Sequence, residues 1–210
     1  MGRKKKIPIK ILGIAGSPRT SGNTSLLLNE ALRGAEEAGA ATKKIIACKR
    51  NILPCLGCGD CLKTGKCSQE DSMGEIYRET LSSNGVILAA PIYFNSLNAQ
   101  TKALIDRHQC VWARKVLLEE DVTDPETRHA RRGLFLSCAG ADDSRVFDGA
   151  LKVMDLFLEV LDIEYYERLL FFRIDNKGAI KDHPHALNNA FTAGEHLVTE
   201  ISRSLGNTVD

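Results

Sequence analysis

The chain has 210 residues, long enough for one domain with a substantial core and too short for two large ones. Its 28 basic and 27 acidic residues leave a net charge of +1, so no electrostatic reason exists to expect nucleic acid or a membrane as partner. With 43% apolar and 6% aromatic residues the composition is that of an ordinary soluble globular enzyme.

The opening MGRKKKIPIKILGIAG sets a basic run before an apolar stretch, but Pro8 and Lys10 interrupt that stretch, and no secretory signal is expected. No apolar run approaches the roughly 18 residues that span a bilayer. Seven cysteines, an odd number without an export signal, argue against a disulfide framework and for a reducing cytoplasm.

In chain order, Ile9 to Ala15 (IKILGIA) reads as a short buried strand running into a Gly-Ser-Pro loop. Leu26, Leu27, Ala31 and Ala35 then give Thr24 to Ala38 helical spacing, ended by Gly39. Lys43 to Cys48 is a second strand that leads straight into a cysteine-rich loop at 49–71. A helix from Ser72 to Leu81, capped by Asp71 or Ser72, precedes a buried-type strand, Val86 to Ala90. After PIYFNSLN, Ala99 to Leu118 reads as one long helix and EEDVTDPETRHARR as an exposed connection. Gly133 to Cys138 is the fourth strand, Arg145 to Leu161 a helix, Tyr165 to Ile174 the fifth strand and Leu187 to Leu205 a closing helix. Five strands alternating with helices predict an α/β fold, a single domain over 1–210 with a parallel sheet covered on both faces. Such sheets bind ligands beyond the carboxyl ends of their strands, which directs attention to the residues after strands one, three and four.

After strand one comes GSPRTSGNTS, Gly16 to Ser25. The hydroxyls of Ser17, Thr20, Ser21 and Thr24, the side chains of Arg19 and Asn23, and the N–H groups and dipole of the following helix can surround a phosphate. Neither GxGxxG nor a Gly-Lys-Ser/Thr triplet is present, so a monophosphate such as that of FMN fits best, with a plain strand-to-helix turn as the alternative. After strand three, Pro91 stiffens a turn in which Ile92, Tyr93, Phe94 and Asn95 offer apolar surface and backbone groups to an isoalloxazine ring, or simply pack in the core. After strand four, Ser137 to Asp143 (SCAGADD) is rich in small residues, and Ser137 and Gly140 are taken as a third wall. Cys138 reads as a small strand-end hydrophobe.

The sharpest signal is CLGCGDCLKTGKC, in which Cys55, Cys58, Cys61 and Cys67 share one loop. A cubane cluster needs one thiolate per iron, and Gly57, Gly59 and Gly65 permit the positive φ that wrapping a chain around it demands. Lys63 and Lys66 would offset the negative charge. Zinc uses the same ligands, but its four-cysteine sites separate two CxxC pairs by a dozen or more residues, whereas this spacing favours iron-sulfur. Cys48 on a strand and Cys110 on a helix read as inert core thiols. His108, His129, His183, His185 and His196 form no ligand-spaced set, and Asp106-Arg107 reads as a structural salt-bridged pair, with a subunit contact as the alternative.

Together GSPRTSGNT, CLGCGDCLKTGKC and APIYFNSLNAQTKALIDR resemble the iron-sulfur flavoprotein family, within the NADPH-dependent FMN reductase group of flavodoxin-like proteins. The resemblance covers the first half to two-thirds of the chain. It implies a flavodoxin-like doubly wound sheet of order 2-1-3-4-5, FMN bound non-covalently, and a 4Fe-4S cluster on Cys55, Cys58, Cys61 and Cys67 that passes electrons to the flavin. It assigns Ser17, Arg19, Asn23 and Thr24 to the phosphate and Pro91, Tyr93, Phe94 and Asn95 to the ring. It also implies a homodimer or homotetramer that serves a redox partner protein or a small-molecule acceptor. Two other readings stand beside it: an NAD(P)H-dependent FMN or quinone reductase without a cluster, and a zinc-stapled non-enzymatic protein.

Overall fold

A computed structural model describes residues 7–207. The basic start on which the signal-peptide reading turned therefore lies partly outside the described residues. Strand β1 (Lys10–Ala15) leads to helix α1 (Asn23–Glu37), strand β2 (Ala41–Ile46), the short helix α2 (Asp60–Thr64) and helix α3 (Met73–Ser82). Then come β3 (Gly85–Ala89), a hairpin of β4 (Ile92–Tyr93) and β5 (Ser96–Leu97), and helices α4 (Ala99–Arg107) and α5 (Gln109–Val116). Strand β6 (Arg132–Cys138), helix α6 (Asp148–Val160), strand β7 (Glu164–Phe171) and helix α7 (Ala186–Ser204) complete the described fold.

The main sheet runs β2-β1-β3-β6-β7, every neighbouring pair parallel, which is the predicted order 2-1-3-4-5. Central strand β3 is buried along its whole length. Side chains alternate across a strand, and the two faces fill separate cores. Ile11, Ile87, Leu134 and Leu136 pack with Leu27, Leu28, Leu197 and Ile201 from α1 and α7. Leu12, Ile14, Val86, Leu88 and Phe135 pack on the other face with Ile76, Leu104, Met154 and Phe157 from α3, α4 and α6. Alternation is what lets one apolar run serve both layers.

Three expectations are corrected. The helix expected from Ala99 to Leu118 is two helices broken at His108, whose N–H turns back to the Ile105 carbonyl at 2.9 Å. The break lets two buried polar side chains leave in different directions: Arg107 reaches the Asp71 carboxylate at 2.5 Å, while the His108 ring sits edge-on between Tyr77 and Phe157. Asp106 and Arg107 consequently do not pair with each other, and Asp106 meets Lys102 one turn earlier at 2.5 Å. Cys48 lies in a 3-10 turn at Ala47–Lys49, beyond the end of β2, and its thiol faces the Ser17 carbonyl at 3.6 Å.

Candidate functional site

The loop after β1 is built by its own hydrogen bonds. Ser17 Oγ accepts from Arg19 N at 3.1 Å, Ser25 Oγ donates to the Arg19 carbonyl at 3.1 Å, and Gly22 N donates to the same carbonyl at 2.9 Å. Gly22 stands at the N-cap of α1 and has no side chain to offer, so the helix's first N–H groups have no partner from a capping side chain. Asn98 ties the loop to α4, its amide donating to the Gly16 carbonyl at 2.8 Å. At the carboxyl edge of the sheet this loop meets the segments after β3, β6 and β7 around a solvent-open cleft of about 130 Å³.

Ser17, Arg19, Asn23, Thr24, Pro91, Ile92, Tyr93 and Gly140 are brought together around that cleft. Ser21, Phe94, Asn95 and Ser137 are not. Ser137 is fully buried and spends its hydroxyl on the Ala90 carbonyl at 2.7 Å, a tie between β6 and the residue that follows β3. Phe94 and Asn95 form the two-residue turn of the β4–β5 hairpin, both at positive φ (49° and 57°), which carries the Phe94 ring away from the cleft and into solvent. Asn23 borders the cleft, but its side chain is engaged elsewhere: it donates to the Asn176 carbonyl at 2.9 Å and accepts from Gly178 N at 2.8 Å. Its amide thus braces the loop after β7, leaving backbone to serve a phosphate.

Sequence reasoning missed Ile174, Asp175 and Lys177, which complete the wall. The signal was available, because the end of a fifth parallel strand also lies at the carboxyl edge. Cys138 and Ala139 border the cleft as well, and burial pushes the Cys138 thiol up to about 12, the behaviour of an inert thiol.

The four cysteines of the 55–67 run line a second cavity of about 140 Å³. Gly57, Gly59 and Gly65 hold φ of 65°, 79° and 67°, so the loop turns where the sequence placed its glycines. Leu62, Gln69, Arg107, Gln109 and Cys110 complete the lining with Leu56, Gly57 and Gly59. Lys63 and Lys66, expected to balance the thiolates, are exposed and lie outside this lining, because solvated ammonium groups lose less by remaining in water. Cys110 is buried, as expected, yet it faces the same cavity as a fifth thiol.

The donor set suits a cluster. Burial, followed by repulsion from the thiols of Cys110, Cys67, Cys55 and Cys58, raises Cys61 above the ordinary thiol range. Thiolates crowded in this way need cations among them to remain ionised. Among the described residues no group of three or more His, Cys, Asp or Glu side chains is arranged to hold a metal ion. Four thiols around one cavity are the donor set of either a cubane cluster or a four-cysteine zinc site.

The loop is closed at its base by a buried ion pair. Arg107 Nη1 donates to Asp71 Oδ2 at 2.5 Å and to the Leu53 carbonyl at 2.8 Å, while Nη2 donates to Asp71 Oδ1 at 3.2 Å. Asp71 in turn accepts from Leu53 N at 3.0 Å and from Met73 N at 2.9 Å, so this carboxylate, and not the Ser72 hydroxyl, caps α3. Desolvation works against the Asp71 carboxylate, but the Arg107 guanidinium and these two N–H groups outweigh it and hold it below the usual carboxylate range.

The structure thus combines an α/β fold of five parallel strands with a cleft at the carboxyl edge of its sheet and a separate cavity lined by four cysteines of one loop. The sequence matches the NADPH-dependent FMN reductase family over residues 9–167, and the chain belongs to that family. It is 42% identical over 99 residues to an iron-sulfur flavoprotein of Methanocaldococcus jannaschii, covering 47% of this chain and 51% of that one. An iron-sulfur flavoprotein of Archaeoglobus fulgidus is 43% identical over 99 residues, 47% of this chain and 45% of its own length. The chain thus spans about half the length of these curated relatives. A solved flavone reductase shares the fold with a TM-score of 0.66 at 18% identity, covering 96% of this chain and 66% of that one. Among the described residues no helix is long and apolar enough to cross a membrane.

Proposed function

We propose that this protein is an FMN-containing oxidoreductase that relays electrons between a 4Fe-4S cluster on Cys55, Cys58, Cys61 and Cys67 and the flavin. The observation that carries the reading is the gathering of all four cysteines around one cavity, in a chain of the FMN reductase family whose sheet crest holds a phosphate-type cleft. When bound, the flavin supplies one- and two-electron chemistry and the cluster one-electron chemistry, the pairing a relay requires.

The chain's own residues bind and orient. Ser17, Thr24 and the first N–H groups of α1 receive the phosphate, and Arg19 offsets its charge. Pro91, Ile92, Tyr93, Ala139 and Gly140, which border the cleft, would hold the ring. Asn23 fixes the 176–178 segment of the cleft wall through its bonds to Asn176 and Gly178. NAD(P)H is a candidate hydride donor, supported by the family's description, and either a partner protein or a small molecule takes the electrons. The Phe94 ring, 106% exposed on a strained turn, favours a homodimer or homotetramer in which it is covered, and light scattering of the holoprotein tests this. The free thiols favour a reducing cytoplasm.

Anaerobic purification with iron, sulfide and flavin quantified per chain tests the reading. About four iron, four sulfide and one FMN are expected, with visible absorbance that bleaches on reduction. FMN without iron points to a reductase that lacks a cluster. Zinc without flavin overturns the redox assignment altogether.

A further inference from the structure

We propose that Arg107 is a positioning and tuning residue for the cluster: its Nε–H donates to a sulfur of the cluster-thiolate assembly and raises the reduction potential. The inference rests on the cluster reading above. Its starting point is a charged side chain only 1% exposed. Burying a cation is costly unless all its donors find partners. Both terminal nitrogens of Arg107 are satisfied by Asp71 and the Leu53 carbonyl. Nε is not: with Tyr165 Oη, it is one of two buried side-chain polar atoms among the described residues that lack any hydrogen-bond partner.

Arg107 also borders the cysteine cavity, and apart from the thiols it is the one ionisable residue that does. Asp71 is absent from that lining and borders instead the adjoining pocket, which shares Cys67, Gln69 and Cys110 with it. An orphan donor, a buried positive charge and a ring of thiols around one space are mutually explained if the donor points at sulfur. The guanidinium then takes the charge-balancing role that exposed Lys63 and Lys66 cannot fill. Its other donors grip Leu53 and Asp71, the two ends of the loop, so that forming the clasp also sets the cavity.

The redox consequence follows from charge. With four thiolates the assembly passes from 2− to 3− when it accepts one electron from an external one-electron donor, and returns to 2− when it gives that electron to the flavin; no bond forms or breaks. A fixed cation and N–H donor stabilise the 3− state more than the 2− state, so reduction becomes easier.

The test is a redox titration of anaerobic holoprotein, followed by the EPR signal of the reduced cluster, after iron and sulfide have been counted. Asp71→Asn/Arg107→Gln replaces the ion pair with a neutral hydrogen-bonded pair, and its potential is expected to fall by at least a factor of ten in the equilibrium constant, about 59 mV for one electron. Arg107→Lys, which keeps the charge without Nε–H, recovers part of that shift. An unchanged potential in a cluster-bearing double variant overturns the inference and leaves the cluster reading intact. A wild type without iron overturns both. Should the variants fail to take up iron, wild-type protein labelled with 15N at arginine Nε decides: pulsed EPR is expected to show a nitrogen coupling to the reduced cluster, and no coupling overturns the proposal.

Discussion

His108 shows how a single buried ring shapes the response to acid. Desolvation, reinforced by the nearby Arg107 charge and only partly opposed by the Leu104 carbonyl, lowers it to about 4, against roughly 6.5 for an exposed imidazole. Its Nδ1 faces the Leu104 carbonyl at 2.9 Å, which makes Nδ1 the protonated nitrogen and leaves Nε2 towards the Thr80 hydroxyl at 3.2 Å. The native state therefore favours the neutral ring. The stabilisation is complete above about pH 6.5 and is lost as pH falls toward 4, a share of roughly 3 kcal/mol. Urea unfolding of wild type and His108→Gln at pH 7 and pH 4 measures it. The variant is expected to lose less stability on acidification, by about that amount, and parallel losses would refute the assignment.

At the scale of elements, the β4–β5 hairpin is seated on α6 by an approach that only glycine permits. A Cβ on Gly149 would lie 2.5 Å from the Asn95 carbonyl oxygen, which is backbone and cannot rotate away. Gly149→Ala is expected to cost about 1–3 kcal/mol through overpacking and to displace the hairpin that carries Tyr93. Flavin affinity should drop roughly tenfold or more, about 1.4 kcal/mol, while cluster content stays the same. Fluorescence titration of apoprotein with FMN, alongside iron analysis, reads both. The hairpin also shows where periodicity fails. Four strand residues and a two-residue turn are too short to carry a pattern, so PIYFNS read as a loop. The break between α4 and α5 was hidden for another reason: the apolar spacing continues through His108, and only the distant partners of residues 107 and 108 reveal the bend.

For the molecule as a whole, the cysteine loop is a closed appendage of the sheet. Ser72 N donates to the Asn51 carbonyl at 2.9 Å, Gln69 Nε2 to the Pro54 carbonyl at 3.1 Å, and the Arg107–Asp71 clasp completes the base. Stripping iron with a chelator under anaerobic conditions is therefore expected to expose amides within 55–67 while β1, β3 and β6 keep their protection. Hydrogen exchange read by mass spectrometry checks this, and loss of protection across the sheet would contradict it. The same architecture keeps two spaces apart: the cleft is assembled from four strand ends, the cysteine cavity mainly from one loop and the α4–α5 junction.

The chain alone determined whatever depends on neighbours in sequence. The short apolar runs IKILGIA and GLFLSC marked strands buried on both faces, glycines at 57, 59 and 65 marked the turns, and the spacing of Cys55, Cys58, Cys61 and Cys67 marked a candidate ligand set. Tertiary structure decided whatever depends on partners far along the chain. Asn23 is drawn to Asn176 and Gly178, Ser137 to Ala90, and Arg107 to Asp71 and Leu53, separations of 36 to 155 residues that no local pattern encodes. The physical reason is that a buried polar group must find its partner wherever the fold brings one, and that need overrides what its neighbours in sequence suggest.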